Sequence, residues 1–401
     1  MEEKKNTNVK IIFALTLVHF TGDFYSSFIS PLLPAFVEKF SLTLAQVGIL
    51  VGISRLMAFI VQPAAGYVAD HYRTRFFVLG GPLFTIIFIS LLGVAPSFFV
   101  LLLFVSLGSI GSSMFHPTTA GMVSEYSGKN LGLSMSIFNA GGTFAFAVGP
   151  VFITCLVGAY GLGISPLAMT IGLAVMIYLF KTVPVPLGER LKDVGFIGSL
   201  KEVLGHVWKS IVLIWVIMVL RAFVGVSFRS FITVLFSQEG YSLVSIGALI
   251  SIFTAAGSIS GILAGHLSDR IGYKPVFYFS HALATPILIL LLYTPAIWVY
   301  FIAFIAGFFL MATLPLGVAM AQELAPRGRS MVSSLMMGFA FGLGGIMAPI
   351  TGKLADIYSI RPVLTSLSII PLLTTGFIYM LPEVRERNIP PVLDKQERGN
   401  I

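Results

Sequence analysis

Seven residues in this chain could do chemistry inside a membrane: His19, Asp23, Arg55, His116, Asn139, Arg221 and Arg229. Each lies within a long apolar run. Asp23 falls roughly 20 Å into the first run at ~1.5 Å per residue, near the middle of the hydrocarbon. A carboxylate there costs about 3 kcal/mol on insertion scales, so it must face protein or water. His19 and Asp23 are four residues apart and share a helical face, and both can carry a proton. The rival readings are a permanent ion pair between Asp23 and Arg55, and a hydrogen-bonded structural role for His19.

Arg55 and Arg221 sit roughly 18 Å into their own runs, close to the level of Asp23. Arg229 follows two turns beyond Arg221 on nearly the same face, where it either lines a cavity or snorkels to the interface. Three guanidinium groups against one carboxylate leave positive charge unbalanced, and an anionic substrate would supply the missing charge through bidentate hydrogen bonds. His116 precedes Pro117, where a proline frees a backbone carbonyl. It is read as a ligand for substrate or protons, or as local repair of the proline break. Asn139 is a hydrogen-bond donor in the fifth run.

The elements that must hold these groups follow from composition. Of 401 residues, 56% are hydrophobic and 10% charged, where a soluble domain has about 25% charged. Twelve apolar segments stand out, near 11–36, 43–69, 76–95, 97–123, 130–158, 162–181, 210–237, 243–267, 275–293, 296–322, 330–356 and 361–381. Each can cross a bilayer as a helix, and no two-residue alternation suggests a β-barrel. The first run is too long for a signal-peptide core and reads as a retained helix. The expected fold is an all-α integral membrane protein. The single cysteine, Cys155, excludes an internal disulfide framework and fits no metal site. No Gly-x4-Gly-Lys-Ser/Thr or His-Glu-x2-His occurs, so no cofactor, no metal and no enzymatic activity are expected.

With the N-terminus inside, nineteen of the 25 basic residues fall on the cytoplasmic side. Only Lys39, Lys353 and Arg361 fall outside. This bias predicts cytoplasmic N- and C-termini in the inner (plasma) membrane, and it accounts for the net charge of +8 without nucleic acid. The longest polar stretch, 183–209, separates a bundle over 1–182 from a second over 210–382, with a tail at 383–401. Within that loop, Phe196 to Trp208 is amphipathic and suits the membrane surface.

The halves repeat. Gly66-Tyr-Val-Ala-Asp70 recurs as Gly265-His-Leu-Ser-Asp269, offset by 199 residues, and the same offset carries Pro150 onto Pro349 and Ser134 onto Ser333. Duplicated six-helix units are a mark of secondary transporters. Twelve segments, the central loop and the Gly-x3-Asp-Arg-x-Gly-x-Lys loop at 265–274 resemble the major facilitator superfamily. Finer features resemble its fosmidomycin-resistance efflux family: Gln62-Pro63, Phe115-His116-Pro117, Ser136-Ile-Phe138-Asn139-Ala-Gly141-Gly142 running to Gly149-Pro150, and Ala321-Gln322-Glu323-Leu324. The resemblance implies two pseudo-symmetric bundles that rock about a midplane site, with segments one, four, seven and ten lining the cavity. It also implies proton-driven export of a small molecule, and a monomer in the bilayer is expected. Asp70, Arg73, Arg75 and Glu125, and Asp269, Arg270, Lys274 and Glu323, gather at the inner ends of the two halves. They are read as charge latches that close the inner face. The expectation is a proton-coupled exporter of a small anionic or amphiphilic molecule, with a proton symporter importing an organic anion as the alternative.

Overall fold

A computed structural model describes residues 6–71, 74–186, 205–325, 332 and 335–383. Twelve helical spans run through it: α1 Val9–Phe40, α2 Leu44–His71, α3 Phe76–Val94, α4 Phe98–Tyr126, α5 Leu131–Tyr160, α6 Leu162–Thr182, α7 Trp208–Gln238, α8 Leu243–Ile271, α9 Tyr273–Tyr293, α10 Trp298–Leu324, α11 Leu335–Tyr358 and α12 Ile360–Met380. Lipid offers the backbone no partner, so a crossing segment must satisfy its own N–H and C=O groups. The twelve apolar runs do this as helices, and their ends agree with the sequence reading to within a few residues. Residues 196–204 of the expected surface piece lie outside the described residues.

Four spans are interrupted among the described residues. α1 breaks between Ser26 and Ile29, α10 at Ala312, α11 at Met347, and α12 between Leu367 and Ile370. Each break lies two to four residues before a proline: Pro31, Pro315, Pro349 and Pro371. A proline has no N–H for the carbonyl four residues back, and its ring crowds that carbonyl. The carbonyls affected belong to Ser27, Met311, Gly345 and Leu367. Pro63, Pro117, Pro150 and Pro286 sit inside continuous helices, where neighbouring helices hold the line.

The spans form two bundles of six. In the first, α1 packs on α4 and α5, and α2 on α4; in the second, α8 packs on α10 and α7 on α11. The bundles meet along two seams, α5 against α8 and α2 against α11, which the 199-residue repeat exchanges. The start of α1, the α4–α5 turn, the α8–α9 turn and the end of α12 lie at one face, here the terminal face; the other is the distal face. On the distal face each bundle carries its own basic staple. Lys39 Nζ donates to the carbonyls of Gly93 (2.9 Å) and Ala95 (2.8 Å). Arg361 pairs with Glu239 and lies over the Tyr293 ring.

Close helix contact relies on missing side chains. A Cβ on Gly307 of α10 would fall on the Phe253 carbonyl of α8. Gly307→Ala should therefore cost about 1–3 kcal/mol through overpacking, read as a lower melting temperature of the purified protein. An unchanged melting temperature would mean that α8 and α10 can part without cost.

Candidate functional site

Asp23 is bridged by two histidines. His19 Nε2 lies 3.1 Å from Oδ2, and His116 Nε2, from α4, lies 3.1 Å from Oδ1. The carboxylate is 5% exposed and His19 7%. The other ring nitrogens face backbone carbonyls: His19 Nδ1 is 2.9 Å from the Phe138 oxygen, and His116 Nδ1 is 2.6 Å from the Ser112 oxygen. A carbonyl only accepts, so each Nδ1 carries the hydrogen. Each Nε2 then meets a carboxylate oxygen, and that contact is attractive only with a proton in it. The triad therefore has room for two exchangeable protons, one in each gap.

Packing fixes this arrangement. His19 stacks on Phe138 at 4.1 Å between centroids, and His116 stacks on Phe115 at 4.2 Å. Gly142 of α5 closes the site from the side, because a Cβ there would lie 2.5 Å from His19 Nε2 and 2.8 Å from Asp23 Oδ2. Arg55 is not the partner of Asp23; the histidines are. His116, expected as a substrate ligand, belongs to the same cluster as the proton-carrying pair. It bonds the Ser112 carbonyl, one residue before the Ser113 carbonyl that Pro117 leaves without its usual donor.

The arginines occupy two places. Arg55 of α2 and Arg229 of α7 line a partly open cavity of about 50 Å³ on the distal side of the triad, together with Ser26, Ser30, Ser54 and Thr254. The lining comes from both bundles. Ser54 accepts a hydrogen bond from Ser109 at 2.8 Å, and Arg229 Nε donates to the Gly225 carbonyl at 3.3 Å. No carboxylate pairs with either guanidinium among the described residues. Arg221, 3% exposed, lies over the Phe341 ring at 4.8 Å, and its Nε and Nη2 have no acceptor among the described residues. Buried donors of a charged group left unpaired are costly. Asn139 is exposed on α5, one residue beyond the carbonyl that holds His19. The donor atoms of His19, Asp23 and His116 lie within 4.8 Å of one another, a spacing that a metal could use. The charge of Arg55 acts on Asp23, and a guanidinium there opposes a divalent cation.

Three of the expected latch residues, Arg75, Lys274 and Glu323, bond within their own halves. Arg75 donates to the Phe180 carbonyl at 3.3 Å. Glu323 accepts from Tyr273 at 2.5 Å, and Lys274 donates to the Tyr379 carbonyl at 3.0 Å. Glu125, Asp269 and Arg270 are exposed at the terminal face. The Asp70 side chain and Arg73 lie outside the described residues.

Twelve spans in two bundles around a buried polar centre match the Major Facilitator Superfamily over residues 15–349. The chain belongs to that superfamily. Among its relatives, the fosmidomycin resistance protein of Escherichia coli K12 is 29% identical over 391 residues, which is 96% of each chain. The quinolone resistance protein NorA of Staphylococcus aureus is 27% identical over 125 residues, 30% of this chain and 31% of NorA. A bacterial homolog of the human lysosomal transporter Spinster, solved in an inward-facing and occupied conformation, shares the fold with a TM-score of 0.79 and 17% identity. It covers 94% of this chain and 97% of its own. The nucleoside transporter NupG follows at a TM-score of 0.74, 14% identity, and 92% and 98% coverage. The superfamily neighbours are transporters, and this chain is one too, not an enzyme.

Sequence reading did not find the hydroxyl lining. Ser26 and Ser30 are one turn apart and Ser54 adjoins Arg55, but isolated hydroxyls in a span mostly bond their own backbone, as Ser26 does to Gly22. In the sequence Gly142 stands only within the 136–142 motif; its place against the triad depends on how α5 docks on α1.

Proposed function

We propose that this chain is a proton-coupled secondary transporter of the inner membrane that exports a small anionic molecule. It alternates access by rocking the bundle over 1–182 against that over 210–382, with linker 183–209, tail 383–401 and both termini cytoplasmic. The observation that carries this reading is the triad: one buried carboxylate held between two imidazoles with two proton-sized gaps. Arg55, Arg221 and Arg229 bind the anion, and Asp23, His19 and His116 carry protons. Relatives named for drug resistance support the outward direction. So does physics: a membrane potential negative inside pushes an anion outward by about 2.3 kcal/mol per charge per 100 mV.

One observation favours the symport alternative. The protons and the anion sit in one buried, cationic region, so protonating the triad strengthens anion binding rather than opposing it. Vesicle sign decides. In everted vesicles energised acid inside, a panel of small anions with fosmidomycin among them is added outside, and interior pH is followed by a quenched dye. An antiporter discharges the gradient, and Asp23→Asn abolishes that response. Interior acidification on adding the anion would establish symport, and a response only to organic cations would remove the anion assignment.

A further inference from the structure

We infer that Asp356 is a clasp across the distal face, joining the two bundles while the cavity is shut on that side. Its Oδ1 accepts from the Leu44 backbone N–H at 2.7 Å, and its Oδ2 accepts from the Ala45 N–H at 2.9 Å. Asp356 ends α11 in the second bundle; Leu44 and Ala45 begin α2 in the first.

The start of α2 explains why this contact is specific. The first N–H groups of a helix have no intrahelical partner. Thr43 and Gln46 satisfy part of the set by a reciprocal capping box: Gln46 N–H donates to Thr43 Oγ1 at 3.2 Å, and Thr43 N–H donates to Gln46 Oε1 at 2.9 Å. The two donors between them, on Leu44 and Ala45, are the pair that Asp356 takes. A carboxylate there also meets the positive end of the helix dipole. Gly352, one turn earlier on α11, lets the backbones touch, since a Cβ there would fall on the Leu44 carbonyl. Both bonds therefore form only while the bundles are in contact.

The clasp is one-sided. The 199-residue repeat turns the α2/α11 seam into the α8/α5 seam, where α8 caps itself through Ser242 Oγ, which accepts from Ser245 N–H at 3.2 Å. The position equivalent to Asp356 there is Val157. That seam closes by small residues instead: a Cβ on Gly247 would fall on Thr154. At the distal end of each seam the opposite bundle lies hard against a glycine, Leu44 against Gly352 and Thr154 with the Pro150 carbonyl against Gly247. The bundles are thus in contact on the distal side in this conformation, and Asp356 is the polar bond across it.

The test is cysteine labelling of protein in nanodiscs, in a Cys155→Ser background. Thr154→Cys reports distal opening, because Thr154 is fully buried in the second seam. Gly121→Cys reports the terminal mouth. Asp356→Ala should raise the Thr154→Cys labelling rate about tenfold, the scale of a lost helix cap, and lower that of Gly121→Cys. Asp356→Asn, which keeps one acceptor, should fall between; it also serves if the alanine variant does not reach the membrane. Unchanged Thr154→Cys labelling would overturn the clasp. So would a rise at both positions, which would mean general loosening.

Discussion

Asp23→Asn should leave a transporter that exchanges its substrate but cannot concentrate it. The amide keeps the shape of the carboxyl group but holds no exchangeable proton. It can accept from one histidine Nε2–H and donate to the other, so the triad stays packed while its two gaps no longer load and empty. Substrate exchange between the two sides of a proteoliposome should persist near the wild-type rate. Accumulation driven by a pH gradient should vanish. Loss of both activities would make Asp23 structural. Undiminished accumulation would remove it from the coupling step and turn attention to His19 and His116, which share its hydrogen bonds.

Removing a guanidinium should weaken anion binding by about 1.5–3 kcal/mol, or roughly 10- to 150-fold in Kd. Arg55→Gln and Arg229→Gln should show the larger loss, since the two line one cavity and neither forms an ion pair with a carboxylate among the described residues. Arg221→Gln should show the smaller loss, because part of its charge is already met by the Phe341 ring. Calorimetry or ligand-induced thermal stabilisation reads the difference. If all three variants bind the anion as tightly as wild type, the arginines serve the fold and not the ligand.

The spans were legible in the sequence because a bilayer imposes one length and one composition on every crossing segment. The interruptions were not: prolines lie in most of the described spans, and only Pro31, Pro315, Pro349 and Pro371 follow a break. Whether a helix survives its proline depends on the neighbours, which the sequence does not arrange. The His19–Asp23 pair was readable from a spacing of four. His116 was visible as a polar residue in a span, but its bond to Asp23 crosses 93 residues and depends on how α4 docks on α1. Arg55 looked like the natural partner of Asp23 from depth alone; depth gives a level in the membrane, not a direction around the helix. Asp356 drew no expectation from the sequence. Its partner is backbone, and backbone amides carry no sequence signature.

The seat of Arg221 over Phe341 has a consequence for selectivity. An arene face is an internal rival for the guanidinium, worth about 0.5–2 kcal/mol. A visiting anion must outbid it before Arg221 turns away from the ring. Diffuse or strongly hydrated ions, which gain little from a buried cation, fall below that threshold. Compact bidentate oxyanions rise above it. Swapping Phe341 for an aliphatic residue would lower the bar and make the transporter less choosy, with no change to any group that touches the ligand.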